Sequence, residues 1–217
     1  MLHILDHQPS LVNRFLAELR DKDIQRDSMR FRRNIARIGE IAAYEVSKQL
    51  NYHNEQVTTQ LGTANVELPT DEVVLATILR AGLPLHEGFL NYFDGAKCAF
   101  VSAYRAGEGE GDLEIKVEYI SCGSLEGKTL ILVDTMLATG MSLIAAYKAL
   151  VARGGEPAHT HFVSVLGCNE GVDYVLRNSD AERCTLWCAT VDEHLNPSKY
   201  IVPGLGDAGD LCYGEKL

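Results

Sequence analysis

Apolar residues along this chain follow two alternating periods. Short, mainly apolar stretches occupy residues 73–79, 99–104, 130–133, 159–166 and 184–191. Runs of that length, rich in β-branched residues and bounded by Gly or polar turns, predict buried strands. Between them lie stretches with helical spacing. Residues 143–153 stop at Gly154 and Gly155, residues 85–93 follow Pro84, and residues 169–177 form a further short helix. Near the start, Leu11, Val12, Phe15, Leu16 and Leu19 outline a short amphipathic helix that ends around residues 20–23. Asp27 or Ser28 caps a long helix reaching about Leu50, with Phe31, Ile35, Ile38 and Ala42 as its buried stripe. Residues 51–71 are polar and predict strands and turns of an irregular layer. Strands alternating with helices imply an α/β fold, a mostly parallel sheet flanked by helices. A single domain spanning 1–217 fits the length.

Two segments break this rhythm. Leu113, Ile115, Val117 and Tyr119 alternate with Glu114, Lys116 and Glu118, a half-exposed strand that follows the Gly- and Glu-rich residues 107–112. The pair predicts a hairpin arm at about 105–122. Residues 192–213 carry much Gly and Pro and little periodicity. A terminal loop of that length calls for a functional reason.

The richest candidate chemistry lies at residues 129–142. An apolar strand leads to Asp134, expected at its carboxyl end. A loop with Thr139, Gly140 and Ser142 follows, and then a helix. Loop N–H groups and a helix N-terminus both favour an anion, and Gly140 lets backbone approach a ligand closely. The Lys of a GxxxxGK[ST] loop is missing, which excludes the usual nucleoside-triphosphatase cradle. A carboxylate beside a phosphate site suits sugar hydroxyls or a hydrated Mg²⁺, so the ligand implied is a sugar phosphorylated at one end. Arg80 and Arg105 stand with Asp134 at the ends of three different predicted strands, where ligands of parallel sheets bind. A guanidinium there can clamp diphosphate oxygens in bidentate fashion.

Residues 133–142, Val-Asp-Thr-Met-Leu-Ala-Thr-Gly-Met-Ser, resemble the 5-phosphoribosyl-1-diphosphate (PRPP) loop of type I phosphoribosyltransferases, and within them the loop of the uracil phosphoribosyltransferase family. The chain departs from that loop at Thr135, where the family has Pro, and at Met141, where it has Gly. Loss of Pro is expected to matter little, since Pro supplies rigidity rather than contacts; Met141 places a side chain near the 5′-phosphate. The Leu-Arg-Ala-Gly segment at Arg80, the Tyr104–Arg105 pair and residues 200–210 are similar to the same family. Those last residues, Tyr-Ile-Val-Pro-Gly-Leu-Gly-Asp-Ala-Gly-Asp, resemble its base-binding hood, placed here at about 192–213. The resemblance implies transfer of the phosphoribosyl group from PRPP to uracil, giving UMP and diphosphate. By the same likeness Arg105 and Asp134 serve catalysis. PRPP is met by Arg80, Arg105, Asp134, Thr135, Met136, Leu137, Ala138, Thr139, Gly140, Met141, Ser142 and Asp207. Uracil is met by Ile201, Gly206, Asp207 and Ala208. Mg²⁺ would be bound mainly through PRPP and water, with no metal ligand supplied by the protein. A homodimer or higher homo-oligomer and a GTP effector are also implied. Two other readings stay open: a regulator of this fold that binds RNA, and a transferase for another base.

Composition narrows the partners. A net charge of −10 argues against nucleic acid or an anionic membrane. The first residues lack a signal peptide's basic segment and apolar core, and no apolar run reaches spanning length, so a cytoplasmic place is expected. The six cysteines, Cys184 and Cys188 among them, are expected as reduced thiols, that pair as small core residues. Arg26, Arg30, Arg33 and Arg37 form a basic helix stripe, read as a solvated face or as a contact for an anion.

Overall fold

In a computed structural model, residues 1–106 and 114–215 are described, and of residues 104–106 and 114–115 only the backbone. The tip of the expected arm therefore lies outside the described residues. The chain runs β1 (Leu2–Ile4), α1 (Leu11–Arg20), α2 (Ser28–Ser47), β2 (Tyr52–Thr58), β3 (Thr63–Pro69), β4 (Val73–Leu79), α3 (Leu83–Leu90), β5 (Lys97–Ala106), β6 (Glu114–Ser121), β7 (Thr129–Leu137), α4 (Met141–Gly154), β8 (His159–Cys168), α5 (Asn169–Arg177), β9 (Cys184–Asp192), β10 (His194–Leu195), β11 (Ile201–Val202) and α6 (Ala208–Tyr213).

The main sheet has seven strands in the order β1-β9-β8-β7-β4-β5-β6. All neighbours pair parallel except β6, which returns antiparallel along the edge of β5. Strand alternation sorts the core into two layers. Leu75, Ile131, Val133, Val163, Trp187 and Ala189 face α1, α2 and α3, whose contributions include Val12, Phe31, Ile35 and Leu85. Val74, Ala76, Leu130, Leu132, Phe162 and Leu186 face α4 and α5, which supply Leu143, Leu150, Val172 and Val175. Burying both faces is why these strands read as continuous apolar runs. The α2 stripe is buried as expected, and Asp27 caps the helix by accepting from Arg30 N at 3.1 Å. Helices α2 and α3 touch at glycines: a Cβ on Gly39 would sit 2.7 Å from Leu85 O.

Three expectations need correction. Residues 51–71 form no irregular layer but a regular antiparallel ribbon, β2 with β3, paired from Tyr52↔Pro69 to Thr58↔Thr63 and exposed along nearly its whole length. Strand β7 does not end at Asp134; it pairs with β8 as far as Leu137↔Gly167. Helix α3 begins at Leu83, with Pro84 inside its first turn, where a missing N–H costs nothing. The cysteines of the described residues are free thiols. Among the described residues no helix is long and apolar enough to cross a membrane.

Candidate active site

The carboxyl ends of β4 and β7 are adjacent, and two loops meet there. Residues 138–140 join β7 to α4. Gly140 adopts φ +77, and a Cβ on it would lie 2.8 Å from Gly171 O. A Cβ on Gly171 would in turn lie 2.6 Å from Leu137 O. The loop is thus pressed against the first turn of α5 at a pair of glycines. Cys168 Sγ fastens it further by donating to Ala138 O at 2.8 Å. Burial pushes that thiol up to about 11, so it stays protonated and keeps the bond.

Asp134 sits on the α4 and α5 side, in register with Ser164 of β8. Its Oδ1 accepts from Thr135 N at 2.7 Å. Burial pushes the carboxyl up to about 7, against the opposing pull of the Thr135 and Met136 N–H groups. Thr135 is fully buried, and its hydroxyl donates to Ala81 O at 2.6 Å. A Pro there has no hydroxyl to donate, so Thr135 is a structural tie between β7 and the β4–α3 loop rather than a neutral replacement. The Leu137 side chain belongs to the core, which leaves only its main chain for a ligand. Thr139, Met141 and Ser142 are half-buried around the start of α4.

Arg80 follows a cis Leu79–Arg80 peptide. Its Nη2 donates to Asp210 Oδ1 at 3.4 Å and to Gly214 O at 3.2 Å, while its buried Nε has no partner. That contact brings the C-terminal segment to the strand ends. The segment is not one irregular loop: β10 and β11 make a short hairpin, and α6 follows. Asp207 caps α6 by accepting from Asp210 N at 3.0 Å, and exposed Gly206 before it has φ +93. Ile201 and Ala208 turn their side chains into the core, so a flat ligand would meet their main chain. Arg105 lies in β5 with its backbone opposite Ile115; its side chain lies outside the described residues.

Between the β7–α4 loop and the hairpin is a cavity of about 510 Å³, bordered by Thr139 and Met141 on one side and Asn196 and Lys199 on the other. A phosphate-sized loop, a carboxylate, a guanidinium and a glycine-rich flap therefore share one end of the sheet.

Residues 6–215 match the family model described as uracil phosphoribosyltransferase. The chain belongs to that family. It is 52% identical over 213 residues to the uracil phosphoribosyltransferase of Porphyromonas gingivalis, covering 98% of each chain. It is 38% identical over 218 residues to that of Methanothermobacter thermautotrophicus, covering 99% of this chain and 96% of the relative. A solved protein structure from Aquifex aeolicus superimposes with a TM-score of 0.86 at 29% identity, over 99% of this chain and 98% of that one. The architecture is the mostly parallel sheet flanked by helices that the sequence predicts.

Within this uracil phosphoribosyltransferase fold, one anchor escaped the sequence reading. Arg20 Nη1 and Nη2 donate to the Asp192 carboxylate at 2.8 and 2.7 Å, and Asp192 also accepts from Gly204 N at 2.8 Å. Arg20 adds a bond to Gly204 O at 3.0 Å. Burial alone would raise the Asp192 carboxyl, but the Arg20 and Gly204 donors hold it below the usual carboxylate range. The pair fixes the root of the hood to α1, 172 positions away in sequence, so no local pattern could mark it. Two members of the basic stripe on α2 read as a solvated face, Arg30 pairing with Glu18 at 3.2 Å and Arg33 with Glu40 at 3.4 Å, whereas half-buried Arg37 donates to Asn34 at 3.1 Å and lies over the Phe15 ring.

Proposed function

We propose that the protein transfers the phosphoribosyl group of PRPP to uracil N1, releasing diphosphate and forming UMP. The observation that carries this reading is the Arg80–Asp210 contact, which unites the phosphate loop's neighbour with the glycine-rich hood over one set of strand ends. In the proposed reaction the C1′–diphosphate bond breaks as uracil N1 attacks, through an oxocarbenium-like transition state; the bonding pair leaves with diphosphate and the N1 proton passes to water. No protein nucleophile is needed; the work is positioning and charge stabilisation. Residues 138–142 hold the 5′-phosphate, with Thr135 to Leu137 setting the loop behind it. Arg80 and Arg105 hold the diphosphate, and the unpartnered Arg80 Nε offers a donor for it. Asp134, once ionised, accepts from ribose hydroxyls. Main-chain groups at Ile201, Gly206 and Ala208 read the pyrimidine edge, and Asp207 orders the turn beside the ribose.

Mg²⁺ would neutralise diphosphate charge. The half-buried Asp134 carboxyl, raised by burial, is one that a cation would return to the ionised form. The ion would be met mainly through diphosphate oxygens and water, because Mg²⁺ keeps much of its hydration. The largely exposed β2–β3 ribbon, with Tyr52, Val57, Leu61 and Val66 exposed, supports a homodimer that covers it. The reading includes a cytoplasmic enzyme and GTP as an effector.

The test is UMP formation from uracil, PRPP and Mg²⁺, run beside guanine and hypoxanthine as acceptors and repeated with GTP. Turnover confined to uracil is expected. No UMP, or faster use of a purine, overturns the reading.

A further inference from the structure

Among the described residues, Lys199 is the one non-glycine residue with positive φ, at +64. An L-residue in that conformation is strained by about 1 kcal/mol, and such outliers concentrate at functional sites. The turn that holds it is closed on three sides. Lys199 N donates to Asn196 O at 2.9 Å, Asn196 N donates to Tyr200 O at 2.8 Å, and Tyr200 N donates to Asn196 Oδ1 at 2.9 Å. The side chain therefore leaves from a fixed point on the β10–β11 hairpin.

That point borders the cavity that Thr139 and Met141 of the phosphate loop line from the other side. The cavity also contains Glu170, whose Oε1 accepts from Leu195 N at 3.2 Å. Its own N–H and that of Leu195 hold the Glu170 carboxyl below the usual range, so it is ionised at neutral pH. A phosphate held by the loop would share that cavity with the Glu170 carboxylate. Lys199 is the cation on the cavity's lining, and it forms no ion pair among the described residues. A lysine is suited to the role because its ammonium is a compact charge on a long flexible stem.

We propose that Lys199 reaches from the hood hairpin to the phosphate-loop cavity and binds the 5′-phosphate of the phosphoribosyl ligand, offsetting Glu170. The inference rests on the activity proposed above but is readable without it. Titration calorimetry with ribose 5-phosphate compares the wild type, Lys199→Asn, which tolerates the left-handed conformation, and Lys199→Arg. Loss of one charge-assisted contact predicts about five- to tenfold weaker binding for Lys199→Asn, with Lys199→Arg near the wild type. In UMP formation the KM for PRPP rises by a similar factor, while kcat and the KM for uracil stay within about twofold. A purely structural hairpin role would instead raise the uracil KM, because Ile201 lies in the same hairpin, and would lower Tm. Equal ribose 5-phosphate binding by wild type and Lys199→Asn overturns the proposal. So does a defect shared by both substrates. If the wild type binds ribose 5-phosphate but makes no UMP, the proposed activity fails while the Lys199 comparison still decides.

Discussion

At the amino ends of the strands, polar side chains are tied to one another. Thr129 Oγ1 donates to Asp71 at 2.6 Å, and Asn51 N meets the same carboxylate at 2.7 Å. Trp187 Nε1 donates to His161 Nδ1 at 3.2 Å, His159 bonds Thr185 at 3.0 Å, and His3 stacks on Trp187 at 4.1 Å. Thr160 Oγ1 at this end, and His86 Nε2 on α3, are buried without a partner. Toward the carboxyl ends ties such as Thr135 to Ala81 O and Arg20 to Asp192 are present too, but Thr77 Oγ1, Arg80 Nε and Ser164 Oγ are buried without partners, and Asp134 is a carboxyl that burial pushes up to about 7. Unpaired buried polar groups cost stability, so one end of the sheet is built for stability and the other carries unmet valences that a ligand can fill.

The largest test of that contrast is Asp134→Asn. Catalytic efficiency should drop by about a hundred- to a thousandfold, since a placed electrostatic group is lost, while the protein grows more stable at pH 8. The sign follows from the raised pKa. The folded protein holds a proton between about pH 4 and 7 that the unfolded chain has released. The favourable contribution is complete below the unfolded value and is lost as pH rises through about 7. Three units correspond to on the order of 4 kcal/mol. Urea unfolding of wild type and variant across that window should give a difference curve that widens with pH. A variant less stable than wild type at pH 8 would place Asp134 among structural groups and break the contrast. In the wild type, kcat/KM for PRPP should climb with pH to a plateau near the same value, because that ratio reports the free enzyme.

Next in size is Gly171→Ala. The added methyl meets the Leu137 and Ala138 carbonyls and must displace the phosphate loop or α5. A loss of about 2 kcal/mol and a PRPP KM raised about tenfold are expected, with uracil KM less affected. If only stability falls, the loop's seat against α5 has no bearing on the ligand.

The same contrast explains what could be read in the chain beforehand. Strands β4, β7, β8 and β9 were legible because sheet faces buried on both sides demand mainly apolar runs, and α2 because its buried stripe repeats at helical spacing. The strand-to-helix junctions at Arg80 and Gly140 were legible because such turns need particular residues in consecutive positions. The extension of β7 to Leu137 was not, since Asp134-Thr135 is a polar break that strand pairing to β8 overrides. Strand β1 is three residues long, too short to show a period, and is held by pairing to β9. Helix α6 hides among glycines, its start set by the Asp207 cap. Thr135 was misjudged because its partner, Ala81 O, lies in another loop.

Asp192→Asn probes the hood's anchor and should have a smaller effect on turnover. Breaking a largely buried, bidentate pair costs about 2 to 3 kcal/mol once partial exposure of Arg20 is allowed for. Uracil KM should rise several-fold, with PRPP KM changed less, because Gly204 is released from Asp192 at the base of the hood. The depressed Asp192 carboxyl contributes stability above the unfolded value near pH 4 and loses it as pH falls below that. Equal shifts in both KM values would mean that the anchor serves the whole cleft rather than the base side.

The smallest kinetic effect belongs to the tied end. His161 is pushed down to about 3, first by burial and then by His159 beside it, with Asp71 opposing. Its neutral ring accepts from Trp187 Nε1. A depressed basic group contributes stability above its unfolded value near 6.5 and loses it as pH falls toward 3. That slope is opposite to Asp134's within an overlapping window. His161→Phe keeps the ring volume but orphans the indole N–H, which costs about 1 to 2 kcal/mol at pH 8. Below pH 6 the variant no longer has an imidazole to protonate, so its deficit should shrink or reverse as acid is added. Steady-state constants at pH 8 should stay within about twofold, because this layer lies at the far end of the sheet from the phosphate loop. If His161→Phe instead shifts PRPP KM, the two ends of the sheet are energetically coupled, and the division between a stabilising end and a ligand-binding end does not hold for this chain.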